Sequence, residues 1–387
     1  MQSKHLIDYI FIGLLVLLNW RCLPVSEKES MPPLPNESNT DVEKKINYLS
    51  KIIQNNQANA EVFYQRAALN LSIGKENLAL ADIDRALTLK SDQAEYYYLK
   101  ALALDQKGDF ANALAAARKA QLLEQQEGIL PSPTSFQFIG KLYYLQKDTA
   151  QARRYLVAAQ QAFPDHAEIY YYLGLLGKDA GDSARAVGFL KKAIELQPNY
   201  PEVYLSLIDF YKKRGNKRQA IAAAAQAVES CPNQPKLMEI YADLLITNQE
   251  REALAIQWYR RAADMWTDNW RLHYIVGMYY YRKQVYREAE KYLKTALANK
   301  PDLEKALYSL GMIYEYQQHN LPEALAQYEK AAQITPYDTT VTYSVRRVKR
   351  KIAYEEYKKS PQYFLDQMRK RKQEEAAGAL EQPDDQD

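Results

Sequence analysis

The stretch AEIYYYLGLLGKDAGDSARAVGFLKKAIELQPNY, residues 167–200, carries the pattern that decides the fold. Two runs of helix-forming and apolar residues flank the polar turn DAGD. Small residues stand at Gly174, Ala186 and Ala193, where they allow two helices to approach closely. Pro198 ends the second run, because proline cannot continue a helix. The stretch therefore predicts a hairpin of two α-helices.

The same spacing recurs with a period of 34 residues along most of the chain. The first small position holds Ala67, Ala101, Gly140, Gly174, Ile208, Ala242, Gly277 and Gly311. The second holds Ala79, Ala113, Ala152, Ala186, Ala220 and Ala289, and the third holds Ala86, Ala120, Ala159, Ala193, Ala227 and Ala296, with Ala262 and Ala331 after one-residue insertions. Hairpins that repeat in this way bury their apolar faces against their neighbours, so the pattern predicts a linear stack.

This pattern resembles the tetratricopeptide repeat family, whose unit is a helix–turn–helix with small residues at these positions and a closing proline. The resemblance implies an all-α superhelical solenoid with about eight repeats and a capping helix at each end. The predicted array spans 60–338, with repeats at 60–93, 94–127, 133–166, 167–200, 201–234, 235–269, 270–303 and 304–338.

The composition favours helices and offers little for catalysis. The 387-residue chain has only 13 glycines and 16 prolines, and its net charge of +3 selects no partner. Its two cysteines, Cys22 and Cys231, are too few for a disulfide framework or a thiolate metal site. The four histidines are widely separated, and no phosphate-cradling loop or nucleophile turn is present in the sequence. We therefore predict a non-enzyme without cofactor, metal or small-molecule substrate.

The N-terminal residues resemble a bacterial export signal. A basic start is followed by a short apolar run and then by Cys22, which makes 1–22 a predicted export signal or membrane anchor. The resemblance to lipoprotein signals makes Cys22 a lipidation candidate, although the three preceding residues, Asn19, Trp20 and Arg21, do not match that pattern. An uncleaved anchor and a coincidental cysteine are the alternatives. Residues 23–41 are predicted to be a flexible linker and 42–59 an N-terminal capping helix, on a protein of the bacterial cell envelope.

The C-terminal residues divide by charge. Residues 339–372 hold eleven Lys and Arg against three Asp and Glu, whereas 373–387 hold six acidic residues and no basic ones. The first segment is predicted to be a basic helical cap and the second a disordered acidic tail. The basic segment could contact phosphates of nucleic acid or lipid. A solvated cap whose charges offset the tail is favoured, and no nucleic-acid partner is expected.

The tyrosine triplets at 96–98 and 170–172 cannot form one aromatic face, because consecutive helical residues point about 100° apart. The family resemblance instead implies that the first helix of each repeat lines a concave groove. The groove residues predicted to bind a partner are Tyr64, Tyr98, Tyr171, Tyr274, Met278, Tyr281, Tyr308 and Met312, with Arg271 and Lys305 at the rim. Acidic residues are predicted on the same wall in earlier repeats: Glu61, Glu95, Asp105, Glu168, Glu202 and Asp209.

Tyrosine and methionine give adaptable apolar contacts, which suits a peptide or protein partner. Family members that grip a terminal carboxylate use Lys and Asn where this chain has Tyr64 and Ala68, so such a clamp is not expected. One alternative is an assembly scaffold of a secretion or outer-membrane complex, which would use edges and the convex face. A weaker alternative is a glycan-associated accessory protein.

Overall fold

The computed structural model describes residues 39–128, 133–247 and 249–380. Within these ranges the chain forms nineteen α-helices and one 3-10 turn, with no β-strand. The N-terminal signal, Cys22, most of the predicted linker and residues 381–387 lie outside the described residues. The predicted class, an all-α repeat solenoid, is confirmed.

The chain divides into two units, Met1–Pro198 and Asn199–Asp387. In the first unit the described helices are α1 (Asn39–Asn55), α2 (Ala60–Ser72), α3 (Glu76–Leu89), α4 (Ala94–Lys107), α5 (Phe110–Gln126), α6 (Pro133–Leu145), α7 (Thr149–Ala162), α8 (Ala167–Asp179) and α9 (Ser183–Leu196). In the second they are α10 (Pro201–Lys213), α11 (Lys217–Ser230), α12 (Pro235–Leu245), α13 (Glu252–Met265), α14 (Trp270–Arg282), α15 (Tyr286–Asn299), α16 (Glu304–Tyr316), α17 (Leu321–Ile334), α18 (Thr339–Lys359) and α19 (Pro361–Leu380).

Each repeat is an antiparallel pair of helices, from α2 with α3 to α16 with α17. The first helix of every pair begins at the residue that begins a predicted repeat. Polar residues start several of the second helices: the carboxylate of Asp109 accepts from the backbone amide of Asn112 at 3.3 Å, and that of Asp148 accepts from Gln151 at 3.1 Å. These caps satisfy amides that have no partner within the helix.

The glycines at the first small position are needed for close packing inside the hairpin. A Cβ atom added to Gly174 would lie 2.9 Å from the side chain of Leu190, and one added to Gly140 would lie 2.7 Å from that of Leu156. Both leucines are fully buried on the second helix of the same repeat. The leucine therefore fills the volume that the glycine leaves.

The tyrosine triplets divide among different surroundings. In the first unit Tyr96, Tyr170 and Tyr172 are buried, whereas Tyr98 and Tyr171 are half-buried. Adjacent tyrosines thus pack against different neighbours, and no triplet forms an aromatic platform.

The helices at the two ends of the described chain do not begin and end at the boundaries predicted from the sequence. Helix α1 begins at Asn39, so three residues assigned to the linker are helical. The basic cap consists of two helices, because Ser360 adopts extended backbone (φ −81°, ψ 150°) before Pro361. Helix α19 continues to Leu380, which places 373–380 in a helix instead of a disordered tail. Glutamate and alanine in this segment are good helix formers.

Both ends of the array are covered. Leu49 and Ile53 of α1 join the apolar cluster that contains Val62 and Phe63 of α2. At the other end Val341 of α18 packs with residues of the last repeat. None of the helices in the described ranges has both the length and the apolar content required to cross a membrane.

Candidate functional site

Repeats seven and eight bring five of the predicted groove residues onto one surface of the second unit. Tyr274, Met278 and Tyr281 lie three or four residues apart on α14, so they share one helix face. Tyr308 and Met312 occupy the corresponding face of α16. All five are partly buried and pack against the same apolar cluster of the second unit.

A cleft of about 250 Å³ lies beside these residues and is the candidate site. Its lining, which we call the tyrosine–methionine cleft, consists of Tyr281, Tyr286, Met312, Tyr316 and Gln317. The residues come from α14, α15, α16 and the residue after α16. The volume is below the roughly 300–1,000 Å³ of sites that enclose drug-sized ligands. A single side chain of a partner is the better match.

Packing fixes the cleft walls in place. The rings of Tyr281 and Tyr286 meet edge to face, with centroids 6.2 Å apart. Nearby, the Tyr308 ring lies 5.4 Å from that of Tyr328, and the hydroxyl of Ser309 donates to Sδ of Met278 at 3.5 Å. These contacts restrict the rotamers of the site before a partner arrives.

Two of these tyrosines, Tyr274 and Tyr281, are protonated at neutral pH. Burial raises the pKa of Tyr281, and burial together with the negative charge of Glu304 raises that of Tyr274. Protonated hydroxyls can both donate and accept hydrogen bonds, so the cleft combines apolar ring faces with polar edges.

The two predicted rim cations have different roles. The Arg271 guanidinium is hydrogen-bonded to the buried carboxylate of Glu239 and, at 3.0 Å, to Asp243, both on α12. It therefore joins two neighbouring repeats and does not stand free at the rim. Lys305 is exposed.

A buried carboxylate that sequence reasoning missed lies next to the cleft. Glu315 of α16 accepts hydrogen bonds from Arg347 at 2.7 and 3.0 Å, from Lys351 at 2.8 Å and from the Tyr328 hydroxyl at 3.0 Å. Burial alone would raise the pKa of Glu315, but hydrogen bonds from Arg347 and Lys351 outweigh it and hold the pKa below its usual range. The carboxylate is thus ionised and anchors α18 to the last repeat.

The same two cations frame one wall of the cleft. Arg347 and Lys351 lie 5.5 and 4.9 Å from the ring centre of Tyr316. Tyr286 and Tyr316 escaped the sequence prediction because neither stands at a groove position of the family: one begins a second helix and the other ends a first helix. The high tyrosine content of this segment was the available signal.

The predicted groove tyrosines of the first unit take part in packing. Tyr64 stacks on Tyr96 with centroids 5.0 Å apart, and its burial raises its pKa. Tyr98 and Tyr171 contact Phe138 and Tyr172 at 5.7 and 5.1 Å. These three tyrosines lie in the first unit and contribute nothing to the cleft described above.

Several of the predicted acidic wall residues have partners. Asp105 forms an ion pair with Lys141 at 2.7 Å, and Asp209 forms one with Lys213 at 3.1 Å. Glu168 accepts a hydrogen bond from Gln137. Asp105, Glu168 and Asp209 therefore do not form a wall of free carboxylates.

In the part of the chain that the structure describes, no group of three or more His, Cys, Asp or Glu residues could hold a metal ion. His273 is buried with its Nε2 3.1 Å from the carbonyl oxygen of Thr267. Burial lowers its pKa, so its imidazole is neutral. Its ring stacks on Tyr292 at 6.0 Å, which is a packing role.

Three sequence profiles, each described as tetratricopeptide repeat, match the chain at 139–201 and 277–339, at 178–244, and at 94–127. Together these ranges span more than half of the sequence. The chain belongs to the tetratricopeptide repeat family. Such repeats indicate a protein–protein interaction module, and the match at 277–339 includes all five residues of the tyrosine–methionine cleft.

The chain is similar to solved structures of other proteins only at low sequence identity. The C-terminal part of a repeat-containing protein from Cytophaga hutchinsonii has 16% identity and a TM-score of 0.46, covering 64% of this chain and 99% of that one. Pseudomonas aeruginosa PilF has 18% identity and a TM-score of 0.43, covering 54% and 92%. Human IFIT1, solved as a dimer with PPP-AAAA, has 18% identity and a TM-score of 0.46, covering 77% and 69%. No curated protein shows significant sequence similarity to the chain.

Proposed function

We propose that this tetratricopeptide repeat protein binds a peptide segment of a partner protein and that one apolar side chain of the segment enters the tyrosine–methionine cleft. The cleft itself carries the proposal: about 250 Å³ lined by three tyrosines, a methionine and a glutamine. Aromatic and methionine side chains are enriched where proteins recognise one another. The pre-packed walls mean that binding does not have to fold the receptor.

The surroundings of the cleft favour a carboxylate near the inserted side chain. Lys351, which also donates to Glu315, lies over the outer wall at Tyr316, and Lys305 is exposed at the start of α16, the helix that carries Tyr316. An acidic residue of the peptide could therefore pair with a lysine while an aromatic or long aliphatic residue fills the cleft. Rim pairs of this kind contribute more to orientation and association rate than to affinity.

The proposal can be tested by selecting peptides from a random display library against the full chain. The selected peptides should share an aromatic or long aliphatic residue. Replacing one cleft residue, Tyr281→Ala or Met312→Ala, should weaken their binding about tenfold, which corresponds to an interface residue worth about 1.4 kcal/mol. Tyr337→Ala is the matched control, because Tyr337 is 95% exposed and lies outside the cleft.

Peptides whose affinity is unchanged by Tyr281→Ala and Met312→Ala would contradict the proposal. That result would favour the scaffold alternative, in which edges and the convex face make the contacts.

Attachment to a bacterial envelope through Cys22 stays a separate proposal that rests on the sequence alone. If Cys22 is lipidated, the wild-type chain should fractionate with membranes and the Cys22→Ala form should not. Equal membrane association of both forms would exclude lipidation as the anchor.

A further inference from the structure

The last two helices expose an unusual amount of apolar side chain. Phe364 of α19 is 62% exposed, and its neighbours Leu365 and Met368 are exposed to a similar degree. Tyr354 of α18 is also exposed. Large apolar residues that stand together on a surface mark an interaction site more often than single ones do.

Phe364, Leu365 and Met368 share one side of α19. Phe364 and Met368 are one helical turn apart, and Arg371 and Lys372 follow one turn further along the same side. The contacts that join α19 to α18 lie in its first two turns, where the rings of Tyr357 and Tyr363 meet edge to face at 5.5 Å and the Tyr357 hydroxyl donates to Asp366 at 2.6 Å. The packing of α19 on α18 therefore leaves the apolar and basic side exposed.

The charge of this segment is strongly positive and only partly neutralised. Residues 339–372 carry eleven basic and three acidic residues, and the six acidic residues of 373–387 offset this positive charge only in part. Some of the basic residues are paired, as in the contact of Lys358 with Glu355 at 3.0 Å. Five make no ion pair with any described side chain: Arg346, Arg350, Lys359, Arg371 and Lys372.

We propose that α18 and α19 form a docking surface for an anionic lipid membrane. Helices that lie in a membrane interface combine lysine and arginine with phenylalanine, leucine and similar residues, and basic residues near the surface are attracted to anionic headgroups. Phe364, Leu365 and Met368 would enter the boundary between headgroups and acyl chains, with Arg371 and Lys372 at the phosphates.

The charge and the apolar content together select this occupant. A second copy of the chain would bring two positively charged segments together, which is unfavourable. Nucleic acid would satisfy the cations but would leave the aliphatic side chains of Leu365 and Met368 without an apolar environment. An anionic lipid surface supplies both negative charge and an apolar layer.

Vesicle binding by the full chain tests the proposal. The probes are vesicles of phosphatidylcholine with one quarter phosphatidylglycerol and vesicles of phosphatidylcholine alone. The N-terminal apolar run, if it inserts, binds both kinds, so the ratio of the two affinities isolates the electrostatic contribution. We expect clear preference for the anionic vesicles that declines at high salt.

Two variants locate the surface. Replacing Arg369, Lys370, Arg371 and Lys372 by Gln should reduce anionic-vesicle binding at least about tenfold, since each basic residue near such a membrane contributes about fivefold. The matched control replaces two lysines and two arginines elsewhere in the second unit, the exposed Lys212, Arg214, Lys217 and Arg218, and should leave binding within about twofold. Phe364→Ser with Met368→Ser should weaken binding without removing the charge preference.

Three results would overturn the proposal. The first is equal affinity for both kinds of vesicle, and the second is an equal effect of the two fourfold glutamine variants. The third is tighter binding of wild-type chain to polyglutamate or to an oligonucleotide than to anionic vesicles, which would assign the surface to an acidic protein or to nucleic acid. Met312→Ala, which tests the peptide cleft, should not change vesicle binding, so the two proposals fail independently.

Discussion

Replacing Glu315 by Ala should release the C-terminal cap from the last repeat. The Glu315 side chain has no exposed surface and accepts hydrogen bonds from Arg347, Lys351 and Tyr328. Breaking a buried ion pair by removing one partner costs about 3–5 kcal/mol, because the remaining charge is left uncompensated. Here both cations keep some access to water and can rotate outward. We therefore expect the lower end, about 3 kcal/mol.

Hydrogen exchange is the suitable assay, because in a repeat stack a loss of stability at one end is confined to the repeats at that end. A loss of about 3 kcal/mol corresponds to about a hundredfold faster exchange of protected amides in α18. Amides in the first unit should keep their rates. Overall unfolding by urea is a less direct measure, since separate parts of a long array can unfold separately.

Glu329→Ala supplies the control, because Glu329 of α17 also joins the last repeat to α18. Glu329 pairs with Lys349 of α18 at 2.8 Å, but their side chains are 43% and 57% exposed. An exposed pair contributes about 0–1 kcal/mol, so exchange in α18 should change less than about fivefold. Equal acceleration by Glu315→Ala and Glu329→Ala would refute the argument that burial makes the Glu315 network strong.

The same network predicts how the cap responds to acid. Because the folded pKa of Glu315 is depressed, its contribution is fully present above the unfolded pKa of about 4.3 and is lost as pH falls through the folded pKa. Protection of α18 in the wild-type chain should fall below about pH 4. In Glu315→Gln that component of the pH dependence should be absent.

Gly174→Ala should destabilise the first unit by about 1–2 kcal/mol in thermal or urea unfolding, because the added Cβ would lie 2.9 Å from the Leu190 side chain. Gly188→Ala should instead stabilise this unit by about 0.5–1 kcal/mol, because the added Cβ would have no neighbouring atom within 4 Å and alanine favours helix. If the two substitutions had the same sign, close packing at the small positions would not be the reason for glycine. Burial raises the pKa of the Cys231 thiol to about 11. In a Cys22→Ala chain at pH 8, this thiol should therefore react slowly with a disulfide reagent when the chain is folded and completely when it is denatured. Fast labelling of the folded chain would contradict the burial of Cys231.

The fold could be predicted from the sequence because the same residue pattern recurs in eight repeats. A small residue at one position, such as Gly174, predicts little alone, but its recurrence every 34 residues predicts a hairpin stack. The ends were less predictable, since no repeat constrains them. The break between α18 and α19 follows from Pro361, a residue that was present in the sequence but was not taken as a boundary.

The candidate site was only partly readable. Tyr281 and Met312 follow from the family's groove positions, and the structure places both in the cleft wall. Tyr286 and Tyr316 depend on how helix ends meet, which residue spacing within one repeat does not encode. Arg271 was predicted as a rim cation, but its ion pair with Glu239 connects neighbouring repeats, and a pairing of this kind requires coordinates.

The central claim is that a partner's side chain occupies the tyrosine–methionine cleft. Site-specific cross-linking tests it most directly: a photoreactive phenylalanine analogue replaces Tyr316 in one chain and Tyr337 in another, and a selected peptide is added to each. The account predicts that the peptide cross-links to the chain altered at Tyr316, that unlabelled peptide prevents this, and that the chain altered at Tyr337 gives little product. Equal cross-linking from both positions, or product from Tyr337 alone, would contradict it.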